Sequence, residues 1–329
     1  PGALESPLRG QPQGGRWRER ASFARHLLTR GLNVPAERVL IVNGAQHGLT
    51  VALMSLLQPG DVIAVDALTY PGFKALALAL HLEVLAIPVT ESGPDLDALE
   101  RLCRSRSVRA IYSMPTLHNP LGWVMSLEQR QQLIAIARAH DLHIIEDAAY
   151  AFLVENPPPP LAELAPERTV YVSGLSKNVA AGLRVGFIAA PAQTIAALER
   201  MIRVTAWNTP GVMTSIASAW LDDGTVSRLE VQKRQDAQAR QIIADEQLAG
   251  LHSVRHPFSY FVWLPLAEDA RAEQVVTALL REQISVSTAQ PFAISTHVPH
   301  AIRLALASVE MGALRGALAK VKWVVEAYT

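Results

Sequence analysis

Seven short, apolar, β-branched runs limit what this chain can fold into more than any other feature: Val39–Val42, Val62–Val65, Val84–Ile87, Ala110–Tyr112, His143–Ile145, Val170–Val172 and Val185–Ala189. Their residues are apolar in succession rather than in alternation, so both faces of each strand must be covered. Helical patterns such as Gln46–Leu57, Leu127–His140 and Gln193–Arg203 lie between them. Doubly covered strands separated by helices define an α/β unit, a mostly parallel seven-stranded sheet flanked by helices. The pattern then changes. A long polar-faced helix over Thr225–Leu248 leads into a strand at Tyr260–Leu264, a helix at Ala272–Gln283, a strand at Ile302–Ala305 and a terminal helix at Gly312–Tyr328. The expected organisation is a large domain over 14–210, then the interdomain helix and a smaller C-terminal α+β domain over 211–329.

Composition removes several function classes. Half of the 329 residues are hydrophobic and 18% are charged, which suits a buried core and not a disordered chain. Thirty basic residues balance thirty acidic ones without a run of either sign. This chain therefore carries no electrostatic footprint for nucleic acid. The single cysteine, Cys103, excludes an intrachain disulfide framework and suits a reducing, cytoplasmic setting. No signal peptide or run long enough to cross a membrane is read. The opening PGALESPLRG reads as a piece of something longer.

The residues that could carry chemistry cluster after the apolar runs. Asn43-Gly44-Ala45-Gln46 turns from a strand into a helix, whose first N–H groups suit an anion such as phosphate. Tyr70-Pro71-Gly72 follows the next strand and could lay its ring on a flat ligand. Asn119, in His118-Asn119-Pro120-Leu121-Gly122, is held between turns as a fixed hydrogen-bonding group. His118 has no histidine at ligand spacing, which favours an orienting role over a metal. In Ile145-Glu146-Asp147, period-two geometry turns Asp147 towards the ligand crevice. Glu146 then faces the other way, where a helix cap or salt bridge is expected. A buried Asp147 needs a cationic partner, and a pyridinium nitrogen would be one. Lys177, in Val172-Ser173-Gly174-Leu175-Ser176-Lys177, is either a solvated lysine or a nucleophile. Arg184, seven residues on, offers a fork for phosphate. Trp123, Trp207 and Asn208 could line a substrate pocket, though packing is the expected role of the two tryptophans.

The order of these features resembles the fold type I pyridoxal-phosphate enzymes, the aminotransferase superfamily. The likeness runs from about Gly14 to the C-terminus and is specific as a set. It implies pyridoxal 5'-phosphate as cofactor, amino acid and 2-oxo acid substrates, and a homodimer with shared sites. Residues 1–13 would be the remnant of an arm. Lys177 matches the lysine that forms the Schiff base, and Asp147 the carboxylate at the pyridine nitrogen. Asn119 and Tyr150 match the pair on the cofactor's 3'-oxygen, and Tyr70 the ring stacked on the pyridine. Ala45, Gln46, Ser176 and Arg184 match the phosphate cradle. Gly174 stands where the family has Ser or Thr, with Ser173 just upstream as a candidate phosphate contact, so one phosphate hydrogen bond is expected to be lost or rearranged. Arg303 matches the arginine that clamps the substrate carboxylate. Tyr70-Pro71-Gly72-Phe73 and Ala289-Gln290-Pro291-Phe292 also resemble the aminotransferase-like, effector-sensing domains of MocR/GntR-type regulators, which carry a separate DNA-binding module. Two functions are therefore expected in competition, an aminotransferase and a cofactor-binding sensor.

Overall fold

Residues 8–328 are described by a computed structural model of the chain, so the expected arm over 1–13 falls partly outside the described residues. In chain order the elements are α1 (Trp17–Leu28), β1 (Val39–Val42), α2 (Gly44–Leu56), β2 (Val62–Asp66), α3 (Pro71–Ala79), β3 (Glu83–Ile87), α4 (Leu96–Ser105) and β4 (Val108–Ser113). There follow α5 (Leu127–Ala139), β5 (His143–Asp147), α6 (Leu161–Leu164), β6 (Thr169–Gly174), β7 (Gly186–Ala189), α7 (Ile195–Thr205) and α8 (Gly211–Asp222). The remaining elements are α9 (Thr225–Gln247), β8 (Val254–Arg255), β9 (Phe261–Pro265), α10 (Ala272–Arg281), β10 (Ser287–Thr288), β11 (Ala301–Ala305) and α11 (Met311–Ala327).

Strands β1 to β7 form one sheet in the order β1-β7-β6-β5-β4-β2-β3. The pairs from β3 across to β6 are parallel, and β7 runs antiparallel to both β6 and β1. Alternation along β2 shows why the runs had to be apolar throughout. Ile63 and Val65 pack with Leu53, Phe73 and Ile202 on one face, while Val62 and Ala64 pack with Leu99, Leu133 and Ile134 on the other. Helices α2, α3 and α7 cover the first face, and α4 and α5 the second. Phe23 and Leu27 of α1 pack with Ile41, Tyr171 and Phe187 at the β1 end.

The second sheet is antiparallel, in the order β10-β11-β9-β8. Its apolar face, with Val262, Leu264, Ile302 and Leu304, packs on Val275 and Leu279 of α10 and Leu318 and Val321 of α11. Helix α9 bonds to both sheets' surroundings. Arg234 Nη1 donates to Phe152 O at 2.8 Å, while Arg240 Nη1 reaches Leu306 O at 2.7 Å and Val309 O at 2.8 Å. Among the described residues no helix is long and apolar enough to cross a membrane.

Candidate functional site

A cavity of ≈ 170 Å³ opens where the strands β1, β4, β5 and β6 end, lined by Ala45, Gln46, Leu49, Tyr70, Met114, Asp147, Ala149, Tyr150, Gly174, Ser176, Lys177, Ala181 and Arg184. Carboxyl ends of parallel strands are where such sheets hold ligands. Eight of the eleven residues singled out from the sequence line this one space: Ala45, Gln46, Tyr70, Asp147, Tyr150, Ser176, Lys177 and Arg184.

One end of the cavity is built for an anion. Helix α2 begins there, and its first-turn N–H groups have no intrahelical acceptor. Gly44 has φ +82°, and a Cβ on Gly186 would fall 2.5 Å from the Gly44 carbonyl carbon. Strand β7 therefore meets the start of α2 with no side chain between them. Arg184 is itself left-handed, with φ 50°, which turns its guanidinium back over Gly44; a Cβ there would lie 3.0 Å from Nη2. Gln46 Nε2 donates to Gly72 O at 2.9 Å, leaving Oε1 buried and unpartnered.

The other end is built for a cation. Asp147 is buried, with the Tyr112 hydroxyl donating to Oδ2 at 2.6 Å and the Ala149 N–H to Oδ1 at 3.0 Å. Burial raises its pKa above the usual carboxylate value, against the pull of those two hydrogen bonds and of Lys177. A positive group in the cavity would relieve that cost. Tyr112 is in turn fixed by Phe73, stacked at 3.7 Å with 9° between the rings. Lys177 stands on an exposed turn closed by Val179 N–H to Leu175 O at 2.9 Å, its Nζ 5.7 Å from the Tyr150 ring centroid. Tyr70 caps α3, its ring set against Gly72, where a side chain would collide with it. Burial raises the Tyr70 pKa, followed by the nearby Asp147 charge.

Three of the singled-out residues lie off this cavity. Arg303, on β11, lines an adjoining space of ≈ 450 Å³ together with Tyr150, Ser176 and Lys177. Its guanidinium lies over the rings of Phe261 and Phe292, at 4.7 and 5.5 Å. Asn119 is buried behind it, and its Oδ1 accepts from Arg303 Nε at 3.1 Å. Burial lowers the Arg303 pKa, while Tyr150 supports its charge. Ser173 does not substitute for the hydroxyl missing at Gly174: its side chain is buried and donates to Ala148 O at 3.1 Å. Gly174 has a geometric reason, since a Cβ there would sit 3.3 Å from both Ala45 N and Val185 O. Of the tryptophans, Trp123 is buried against His118, with centroids 4.0 Å apart. Trp207 corrects its expectation: it is 56% exposed, with φ 67° and Arg203 over its ring.

Arg130 escaped the sequence reading. It is fully buried and donates to Met125 O, Pro115 O, Thr116 Oγ1 and Pro159 O, pinning the loop that carries His118 and Asn119. The available signal was its place three and four residues before Leu133 and Ile134, on the apolar face of α5. Glu146 is as expected a cap: its carboxylate accepts the Leu161 and Ala162 N–H groups at 3.0 and 2.9 Å.

A guanidinium, a hydroxyl, a helix N-terminus, a buried carboxylate and an amine around one cavity fit pyridoxal phosphate in the chemistry of the donor set. The comparisons agree. The sequence profile of aminotransferase class I and II matches residues 18–321, and the chain belongs to that family. It is 28% identical over 296 residues to the 2-aminoadipate transaminase of Thermus thermophilus, covering 87% of this chain and 75% of that one. It is 27% identical over 277 residues to an uncharacterized HTH-type transcriptional regulator of Bacillus subtilis, YdeF, covering 84% of this chain and 60% of that one. The chain spans about 60% of the length of curated relatives of this regulator kind. The crystal structure of LysN, the α-aminoadipate aminotransferase of Thermus thermophilus, superposes with a TM-score of 0.89 at 26% identity, over 98% of this chain and 84% of that one.

Proposed function

We propose that this chain is a pyridoxal-phosphate-dependent aminotransferase that moves an amino group between an amino acid and a 2-oxo acid. The observation that carries the reading is the convergence of Lys177, buried Asp147 and the Arg184–Ser176–α2 cradle on one cavity. When bound, the cofactor supplies an electron sink for the electrons left at the amino acid's Cα. Arg184, Ser176 and the first turn of α2 hold its phosphate. Asp147 holds positive charge at the inner end, because a carboxylate without a cation is costly there. Lys177 Nζ would be the covalent anchor of the cofactor and, once displaced by the amine of an incoming amino acid, the general base for the Cα proton. Arg303 holds the substrate carboxylate, oriented by Asn119 and its two aromatic neighbours. Tyr70 would lie on the cofactor's ring, and Tyr150 with Asn119 would hydrogen-bond its 3'-oxygen. The LysN structure holds N-(5'-phosphopyridoxyl)-L-leucine, a pyridoxyl group joined to an amino acid, in support of this chemistry. A homodimer and a division at 14–210 and 211–329 belong to the same reading.

A second reading is favoured by the regulator relatives: the same site senses an amino-acid-like effector for a transcription factor. One experiment separates them. The protein is loaded with pyridoxal phosphate, reduced with borohydride and mapped by peptide mass; a sample left unreduced is then offered a panel of amino acids and 2-oxo acids. Attachment at Lys177 with release of a 2-oxo acid is expected. Attachment without turnover on any pair would move the assignment to the sensor, and no attachment at Lys177 would overturn both.

A further inference from the structure

The residue after the proposed nucleophile is held from a distance. Asn178 is 2% exposed, and its Nδ2 donates to Glu230 Oε1 at 2.6 Å. That is the one hydrogen bond its side chain makes among the described residues, and its Oδ1 is buried without a partner. Glu230 lies on α9 and is itself 4% exposed. The same carboxylate oxygen pairs with Arg30, in the turn just after α1, and His26 Nε2 of α1 stands 3.7 Å away. Burial, with Arg30 beside it, holds the His26 pKa down to about 4, so His26 is neutral and Arg30 supplies the countercharge. A buried carboxylate needs such a partner. It does not need an asparagine. Arg30 answers the charge of Glu230; the Asn178 bond answers a different need, the fixing of the turn that carries Lys177.

Besides this tie, the turn is held by Leu175, buried in the core with Val179 packed on the same cluster, and by its own backbone bonds. Lys177 is exposed, and the turn is closed by backbone bonds from Val179 and Ala180 to Leu175 O and from Leu175 to Val185 O. The opposite end of α9 gives the tie a second significance. Gln241 Nε2 donates to Phe261 O at 3.1 Å, and the Phe261 ring is the shelf under Arg303. One rigid helix thus holds the residue next to the nucleophile and the strand beneath the carboxylate clamp.

We infer that Glu230, acting through Asn178, is a positioning residue for Lys177. The inference rests on the proposed role of Lys177, and its test distinguishes the two. Asn178→Ala, Glu230→Gln and Glu230→Ala are compared with wild type by thermal unfolding, by the fraction of Lys177 captured with borohydride at limiting pyridoxal phosphate, and by the pH midpoint of the loaded protein's absorbance. Asn178→Ala leaves the Arg30–Glu230 pair intact, so its Tm stays within a few degrees of wild type. Its captured fraction should fall roughly tenfold and its midpoint move by about one pH unit. Glu230→Gln keeps an acceptor for Asn178 but breaks the ion pair, so Tm drops while the midpoint holds. Glu230→Ala should show both losses. Should Asn178→Ala not fold, Asn178→Ser is read in its place. A wild-type midpoint and capture in the asparagine variant, or a midpoint that follows Tm across all variants, overturns the inference. Absence of capture in wild type instead overturns the role given to Lys177.

Discussion

Glu146 and Asp147 are consecutive on β5, both carboxylates, both buried, and both with pKa values raised first of all by burial. Their surroundings differ completely. Asp147 opens into the cavity, held by one hydroxyl and one N–H, with room for a cation. Glu146 faces the other side of the sheet, where two N–H groups at the start of α6 occupy it. The same chemistry, one peptide apart, serves a ligand on one face and the fold on the other. Neither composition nor burial assigns these roles. Strand alternation does.

The largest effect that sharpens this contrast is expected from Asp147→Ala. Amine transfer per molecule should fall by about a thousandfold, the scale for removing a preorganised charge from a site. Glu146→Ala should leave turnover per folded molecule near wild type. Equal losses of kcat/KM from the two variants would break the comparison. Next comes Arg303→Lys, which replaces a planar fork wedged between two rings by a point charge. It should raise KM for the amino acid by roughly tenfold to a hundredfold with cofactor capture unchanged; unchanged KM would remove Arg303 from the clamp.

Glu146→Ala should instead appear in stability, lowering the unfolding free energy by about 2 kcal/mol because two buried N–H groups lose their acceptor. Denaturant unfolding measures this directly. The smallest expected effect is on pH dependence. Burial raises Glu146 from the usual 4.5 to about 7, so the folded state keeps a proton that the unfolded chain has already released. Its contribution is fully present below about pH 4.5 and is lost as pH rises to about 7. Glu146→Gln should flatten the fall in Tm across that window; an unaltered slope would mean that Glu146 titrates normally.

Much of this was legible in the sequence, for stated reasons. All seven apolar runs are strands of one sheet; six are largely buried, and β3, at the sheet's edge, is only partly so. The site residues that face the cavity lie at or near strand ends: Asp147 at the end of β5, Ala45 and Gln46 in the first turn of α2, and Ser176, Lys177 and Arg184 in the loop between β6 and β7. What was missed needed the third dimension. Strands β8 and β10 are two residues long, too short for any periodicity. Arg130 and Glu230 went unread within their helices, and packing shows both buried. Trp207 was assigned to the core by its chemistry and lies at the surface. Ser173 was matched by proximity in sequence, yet its hydroxyl answers a carbonyl of the neighbouring strand's loop.

The reversal of β7 has a consequence for how the site comes into being. Gly174 on β6 sits opposite Gly186 on β7, so Lys177 and Arg184 lie in a single loop between antiparallel neighbours. Their mutual placement is a local matter of sequence, closed over about a dozen residues, and loops of that size close quickly. Asp147, Asn119 and Arg303 come from strands and loops far apart in the chain and wait for the whole topology. On this order of assembly, Lys177 and Arg184 are paired early in folding. Asp147, Asn119 and Arg303 join them last, so a half-folded chain would present an amine and a guanidinium side by side without the buried carboxylate that faces them in the finished cavity.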